Sequence, residues 1–433
     1  MQRSRFQIGK ATLIVGLVIV LAACGSQSKP FTVWTKFNAQ SPQNTQDQWL
    51  ADALKEYTAQ SGKQVTHVTQ PFDQINSKLN LAVRAGGDVP DVSYVDSQQI
   101  GFFTQNGTLT DLTDFVKNAS WYKDLNPASL ASCTNSTGKI LCVPTSTATT
   151  LIYFWKDGYP SGFPTTTDQL LAAAKDLKAK GKFAITLKAS DKISIDMTYF
   201  GLIKTFGGEI ATSDGKAAWA SPEAATAVQF VRDLFVNKYA PDVDLATGFD
   251  DEEPFKRGDA VAFMAGSWSY VYLNPLIAPD GTKFDKGAPS VQAAFDAGKL
   301  DFAPPLSKEG SKPVSFTTST GWGIPKGAVN IEQAKAFIDF QMTTARDAKF
   351  ALAYGALPSL TSSLPDPGFQ TPYWQAVAKY LSSYGLPAPS LVEYDKGLTL
   401  LSDTLNKLMA DPSKDIAAEL KASQDEYNAG LPK

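Results

Sequence analysis

Apolar positions along this chain change period repeatedly. Residues 31–34 form a short run of strand character, and over 48–60 the apolar Trp49, Leu50, Ala53, Leu54 and Tyr57 recur at helical spacing until Gly62. Residues 65–68 return to strand. A second helix is expected with Asp73 as its cap and Ile75, Leu79, Ala82 and Val83 on one face, stopped by Gly86-Gly87, and residues 91–95 make a third strand. This β-α-β-α-β order opens a parallel α/β sheet. The alternation recurs downstream. Thr167 is expected to cap a helix with Leu170, Leu171, Ala174 and Leu177 inward. Ser221-Pro222 places a hydroxyl cap and a proline at the first helical position before Val228, Val231, Leu234 and Phe235, and Asn330 is expected to cap Ile331, Ala334, Phe337 and Ile338. Residues 398–429 read as mostly helical, broken near Asp411-Pro412.

The opening segment follows a different pattern. Arg3, Arg5 and Lys10 precede an apolar run at 11–23, which ends in Leu21-Ala22-Ala23-Cys24, the charge, core and small-residue order of an export signal. A cysteine directly after two alanines resembles the lipobox of bacterial lipoproteins. That resemblance implies cleavage after residue 23, a lipid on Cys24 and a protein held at the outer face of the cell membrane. The alternative, a membrane-spanning anchor, needs roughly 20 apolar residues, more than the 13 of the run.

Charge and length narrow the classes. Without residues 1–23, which carry three positive charges and no negative ones, the formal charge moves from −3 to −6, too weak and too evenly mixed to suggest a nucleic-acid partner. Single cores stop growing at about 250 to 300 residues, so a chain of 433 is expected to form two lobes. Beyond Cys24 the only cysteines are Cys133 and Cys142, on either side of a turn-rich segment. In an oxidising exterior that spacing allows a small disulfide-closed loop, and two buried thiols are the alternative.

The order of several short motifs carries a family resemblance. The chain shows Gly86-Gly87-Asp88-Val89-Pro90-Asp91-Val92, then Gly138-Lys139-Ile140-Leu141-Cys142-Val143-Pro144 leading to Leu151-Ile152-Tyr153-Phe154-Trp155-Lys156-Asp157, then Pro164-Thr165-Thr166-Thr167 opening a helix. Phe255-Lys256-Arg257-Gly258-Asp259-Ala260 runs into Gly266-Ser267-Trp268, and Gly321-Trp322-Gly323-Ile324-Pro325 and Tyr354-Gly355-Ala356-Leu357-Pro358 follow. Together, and in this order, they resemble the family 1 extracellular solute-binding proteins of ABC importers, the maltose-binding-like group. The chain departs from that pattern with Phe154-Trp155 where Tyr-Asn is commoner, and with Thr167 where the family has a tryptophan.

The resemblance implies a two-lobed, periplasmic-binding-protein-like α/β fold (class II), with strands crossing between the lobes and a ligand cleft. It places a signal at 1–23, a tether at 24–29, a first lobe at 30–147 plus 316–342, and a second at 148–315 plus 343–433. It also implies a monomer that captures a mono- or oligosaccharide and delivers it to the permease subunits of an ABC transporter. A sugar offers C–H patches on its faces and hydroxyls at its rim, so aromatic side chains and hydrogen-bonding groups are sought together. The expected ligand contacts are Phe37 and Asn38 after the first strand, Asp96 and Gln98 after the third, Trp268, Gly321 and Trp322 at the crossing, and Tyr354. Open α/β sheets bind ligands at the carboxyl ends of their strands. Asp96 has the alternative of capping a helix at 98–103.

Catalytic readings lack material. One histidine, His67, lies within the second predicted strand, so triads and multi-histidine metal sites are not expected, nor is any metal or cofactor. No phosphate-binding loop of the Gly-x-x-x-x-Gly-Lys type is present. The 43 acidic residues leave glycoside cleavage open, and the densest cluster, Asp250 to Glu253, reads as a solvated helix start. The alternative functions are capture of a non-sugar metabolite such as a polyol phosphate, disfavoured because no basic cluster is seen near the candidate loops, and an extracellular glycoside-processing enzyme.

Overall fold

The computed structural model describes residues 29–192, 195–245, 248–285, 289–389 and 391–431. The expected signal, the lipidation site Cys24 and all of the tether but Lys29 lie outside them. Strand β1 (Thr32–Thr35) pairs in parallel with β2 (Thr66–Thr69) on one side and β3 (Val92–Asp96) on the other. Helices α1 (Thr45–Ser61) and α2 (Ile75–Ala85) provide the crossovers, and each ends on a glycine in the left-handed region, Gly62 and Gly86. Asn44 caps α1 by accepting from the backbone N–H groups of Gln46 and Asp47. At α2 the side chain of Asp73 makes no cap; the cap position is Gln74. In the second lobe Thr166, one residue before the expected Thr167, caps the helix Thr167–Ala179, and Ser221 caps Pro222–Val236 as the motif predicts.

Two long strands join the lobes. β4 (Val143–Trp155) is buried at all 13 positions. Its first half runs antiparallel to the strand Ser315–Gly323, which also pairs with β3; its second half pairs with β5 (Ala262–Gly266) and with the strand Leu300–Ala303. The sequence changes character at the same place. The Pro-Thr-Ser-Thr-Ala-Thr-Thr half satisfies its buried hydroxyls against the return strand, with Thr145 to Thr320 and Thr147 to Ser319 at 2.9 Å and Thr149 to Ser315 at 2.6 Å. The Leu-Ile-Tyr-Phe-Trp half alternates between two cores. Ile152 and Phe154 join the core that includes Leu170, Val228 and Leu405, while Leu151, Tyr153 and Trp155 face the core of Phe255, Leu300 and Trp374. Burial on both faces is what a sheet sandwiched between helices requires.

The larger core of the first lobe is built from Val33, Leu50, Val92 and Tyr94 with Trp322 and Phe337, and a smaller one holds Leu79, Val95, Phe103 and Leu109. Helix Thr344–Tyr354 contributes to cores on both sides: Phe350 and Tyr354 pack in the first lobe, Ala348 and Ala351 in the second. This helix therefore packs against both cores. Helices Tyr394–Ala410 and Ile416–Ala429 close the second lobe and are separated at Asp411-Pro412, as the sequence indicates. Cys133 and Cys142 are joined by a disulfide with their Cα atoms 5.1 Å apart. No helix among the described residues is long and apolar enough to cross a membrane.

Candidate functional site

Between the lobes lies a cleft of about 730 Å³, floored in part by Phe316 and Thr318 of the crossing strand. Its first wall comes from loops at the carboxyl ends of β1, β2 and β3, carrying Lys36, Phe72, Asp96 and Gln98. The second wall comes from turns and helix starts of the other lobe, including Lys188, Asp196, Phe249, Trp268, Tyr272 and Asp395.

Aromatic surface marks this cleft. Among the described residues the large apolar side chains left exposed include three aromatics, Phe72 (43 %), Phe249 (58 %) and Tyr272 (40 %), and all three line it. Leaving a large ring in water forgoes burial, so rings concentrated in one concavity point to a ligand. Trp268, half-buried between the cores of both lobes, adds a fourth. Two glycines seat it: a Cβ at Gly266 would lie 2.3 Å from the indole ring, and one at Gly355 (φ +79°) would lie 2.7 Å from the Trp268 Cα.

The polar groups differ between the walls. Lys36 Nζ donates to the Tyr354 hydroxyl at 3.1 Å and lies 4.3 Å from the Phe72 ring centroid and 4.9 Å from that of Tyr354. Burial opposes its charge, yet Tyr354, Asp96 and Tyr272 outweigh that and hold its pKa above the ordinary lysine value. Asp96 Oδ2 accepts from Asn76 Nδ2 at 2.9 Å and makes no helix cap. On the facing wall Lys188 and Asp251 form a buried pair at 2.7 Å, and Lys188 also donates to the Gly248 carbonyl. Burial pushes Asp196 up to about 6, against the hydrogen bonds from Tyr394 at 2.7 Å and the Met197 N–H; it pushes Glu252 up to about 7 against the pull of Lys256. Among the described residues two hydrogen bonds cross the cleft directly: Gln99 Nε2 to Asp395 Oδ1 at 2.7 Å, and the Tyr272 hydroxyl to Gln46 Oε1 at 2.8 Å.

Of the residues expected from sequence, Phe37, Asp96, Gln98, Trp268 and Tyr354 line the cleft. Phe37 is only 2 % exposed and backs the wall, edge-on to Tyr94 and Tyr354. Asn38, Gly321 and Trp322 do not line it, which corrects their assignment. Asn38 is spent locally, its N–H on Asp47 and its side-chain oxygen accepting from the Ser41 N–H. Trp322 is fully buried in the first-lobe core against Tyr94 and Phe337, with ring centroids 5.5 and 5.6 Å away. Its flanking glycines serve the opposite face of the strand: a Cβ at Gly321 would meet Cys142 Sγ at 2.8 Å, and one at Gly323 would meet Leu109 at 3.0 Å. The Gly-Trp-Gly pattern records close packing on one face and a core side chain on the other.

Sequence reasoning also missed groups. The acidic run is not solvated where it matters, since Asp251 is buried in its pair with Lys188 and Glu252 lines the cleft. Lysines are present too, at Lys36, Lys188 and Lys192. Lys36 and Phe72 follow β1 and β2, and the strand-end rule that selected Asn38, Asp96 and Gln98 covers both positions, though of its own three choices Asn38 does not line the cleft. His67 sits in β2, bonded through Nε2 to Thr35 at 2.9 Å and pushed down to about 4 by burial, a structural residue. Among the described residues no group of His, Cys, Asp and Glu is arranged to hold a metal ion.

Two α/β lobes joined by crossing strands around an aromatic cleft define a binding protein that holds its ligand between its lobes. The chain belongs to the bacterial extracellular solute-binding protein family, whose profile matches residues 52–377. It is 24 % identical over 379 residues, 80 % of each chain, to the diacetylchitobiose-binding protein of Streptomyces coelicolor. To the arabinooligosaccharide-binding protein of Bacillus subtilis it is 23 % identical, over 76 % of this chain and 74 % of that one. Its fold matches maltose-bound MalE3 of T. maritima with a TM-score of 0.76 at 21 % identity, over 93 % of this chain and all of that one.

Proposed function

We propose that this protein captures a mono- or oligosaccharide outside the cell and delivers it to the permease subunits of an ABC importer, as a monomer tethered to the membrane through a lipid on Cys24. The observation that carries the reading is the set of exposed rings on facing walls of one cleft, Phe72 on the first and Phe249 and Tyr272 on the second, interleaved with hydrogen-bonding groups. Rings stack on the C–H faces of a pyranose while carboxylates, amides and the Lys36 ammonium serve its rim. The curated relatives, named for diacetylchitobiose and arabinooligosaccharides, support the same class of ligand.

A ligand touching both walls favours the closed arrangement by its higher affinity for that state, and the permease reads the closure. Micromolar capture requires about 8 kcal/mol net, within reach of several stacked rings and charge-assisted hydrogen bonds. The reaction class is binding without turnover. A thermal-shift screen against mono- and oligosaccharides tests this, because a sugar at one hundred times its dissociation constant stabilises by about 2.7 kcal/mol. The expected result is a clear rise in melting temperature for one group of sugars, each recovered chemically unchanged. No shift with any sugar, or consumption of the sugar, contradicts the reading.

A further inference from the structure

The reading above leaves open which sugars the cleft prefers, and its least ordinary group is Lys36. Its ammonium sits within about 6 Å of four ring centroids, those of Phe72, Tyr354, Tyr94 and Phe37 at 4.3, 4.9, 5.5 and 5.8 Å, the range over which a cation is attracted to a ring face. Among the described residues no carboxylate lies within 4 Å of it, and its one hydrogen bond is to the Tyr354 hydroxyl. An ammonium has three N–H donors. Two are therefore unspent, inside a binding cleft.

On the same wall Asp96 is the complement. One of its oxygens accepts from Asn76, it forms no ion pair among the described residues, and it lines the cleft together with Lys36. The wall thus offers a donor-only cation, an acceptor-only carboxylate that does not touch it, and the exposed face of Phe72 beside them.

We infer that this corner reads an amide, so that the cleft prefers neutral saccharides carrying an acetamido substituent; the inference rests on the saccharide reading above. A trans amide points its C=O and N–H in opposite directions, which suits a cation and a carboxylate that are separated. The carbonyl oxygen takes a proton donor from Lys36, the N–H gives one to Asp96, and the flat acetyl plane packs on Phe72. Each alternative serves this corner less fully. A free amino sugar brings a second ammonium up to Lys36. A uronate meets Asp96, Asp196 and Asp395 in a cleft lined by seven carboxylates against three lysines. A plain hydroxyl can accept from Lys36 and donate to Asp96 as well, but it does so through a single oxygen and lays no flat group on Phe72.

Calorimetric titration of the purified protein with three disaccharides of one β-1,4 skeleton tests this: N,N′-diacetylchitobiose, cellobiose, and the deacetylated diamine. The acetylated sugar is expected to bind at least tenfold more tightly than either cellobiose or the diamine, whose ammonium offers Lys36 no acceptor. Lys36→Met, which keeps the apolar stem, is expected to bring the acetylated sugar to within threefold of cellobiose, whereas Lys36→Arg keeps the preference. The unliganded melting curve of each variant confirms that it is folded, and the wild-type ratio stands whether or not a variant folds. Equal affinity of wild type for the acetylated sugar and cellobiose overturns the inference and leaves the saccharide reading intact, as does an unchanged preference in Lys36→Met. Binding of none of the three also overturns it, and the thermal-shift screen then decides separately whether the broader reading survives.

Discussion

The two walls of the cleft hold charge in opposite ways. On the first, Lys36 has no ion pair among the described residues and rests on ring faces, and Asp96 is supported by one amide. On the second, Lys188 and Asp251 are about 5 % exposed and locked together, and Asp196 is buried against Tyr394. A charge waiting for a ligand has to leave valences unspent, while a charge that holds a wall in shape has to be paired, because burial penalises the unpaired form. The same residue type therefore does two jobs within one cavity.

The largest expected effects test that difference directly. Lys188→Met strands a buried carboxylate and is expected to cost about 3–5 kcal/mol of stability, whereas Lys36→Met, with no ion pair to break, should lie within about 1 kcal/mol of wild type. Denaturant melts of the two variants check this, and equal losses would erase the distinction between the walls. A parallel contrast separates the two tryptophans. Trp322→Ala should destabilise by about 3–5 kcal/mol through a core cavity and leave the affinity of the folded protein unchanged. Trp268→Ala should weaken sugar binding at least tenfold by calorimetry, with the smaller loss of stability.

Acidity should act on the lobes in opposite directions. Asp196, near 6 in the fold, and Glu252, near 7, bind protons more readily folded than unfolded, so the second lobe gains stability as pH falls through 7 toward 4. His67, near 4, binds protons less readily folded than unfolded, so the first lobe loses stability as pH falls from about 6.5 toward 4. Each shift corresponds to roughly 3 kcal/mol. Melting curves against pH should flatten on the acid-stabilised side in Asp196→Asn and on the acid-labile side in His67→Gln; identical profiles for all three proteins would contradict the assignment. The smallest effect concerns the contact between the walls. Gln99→Leu removes the hydrogen bond to Asp395 and should change affinity by about tenfold, the lower end of the scale for one hydrogen bond to a charged group.

How much of this was legible in the sequence follows from the same contrast. The first wall stands at the carboxyl ends of parallel strands, whose period-two runs and glycine stops are local signals, so Asp96 and Gln98 were found and Lys36 and Phe72 were within reach of the same rule. The second wall is assembled from residues distant in sequence, such as Lys188 with Asp251 and Asp196 with Tyr394. No local period brings those together; only the tertiary packing of the second lobe does. Asp250 to Glu253 looked solvated because a run of acids is usually exposed, and the lysine that neutralises Asp251 lies 63 positions earlier. Trp322 misled for a related reason: its glycine neighbours are explained by Cys142 and Leu109, which lie far away along the chain.

The claim on which the account depends is that one sugar is held by both lobes at once. Its direct test is calorimetric titration of a single saccharide, chosen by the thermal-shift screen, into wild type, Phe72→Ala and Phe249→Ala, which remove one ring from each wall. Each substitution is expected to weaken the same sugar about five- to tenfold, the scale of one lost aromatic stack of about 1 kcal/mol. Undiminished binding in either variant would show that the sugar touches one wall only and would contradict the account.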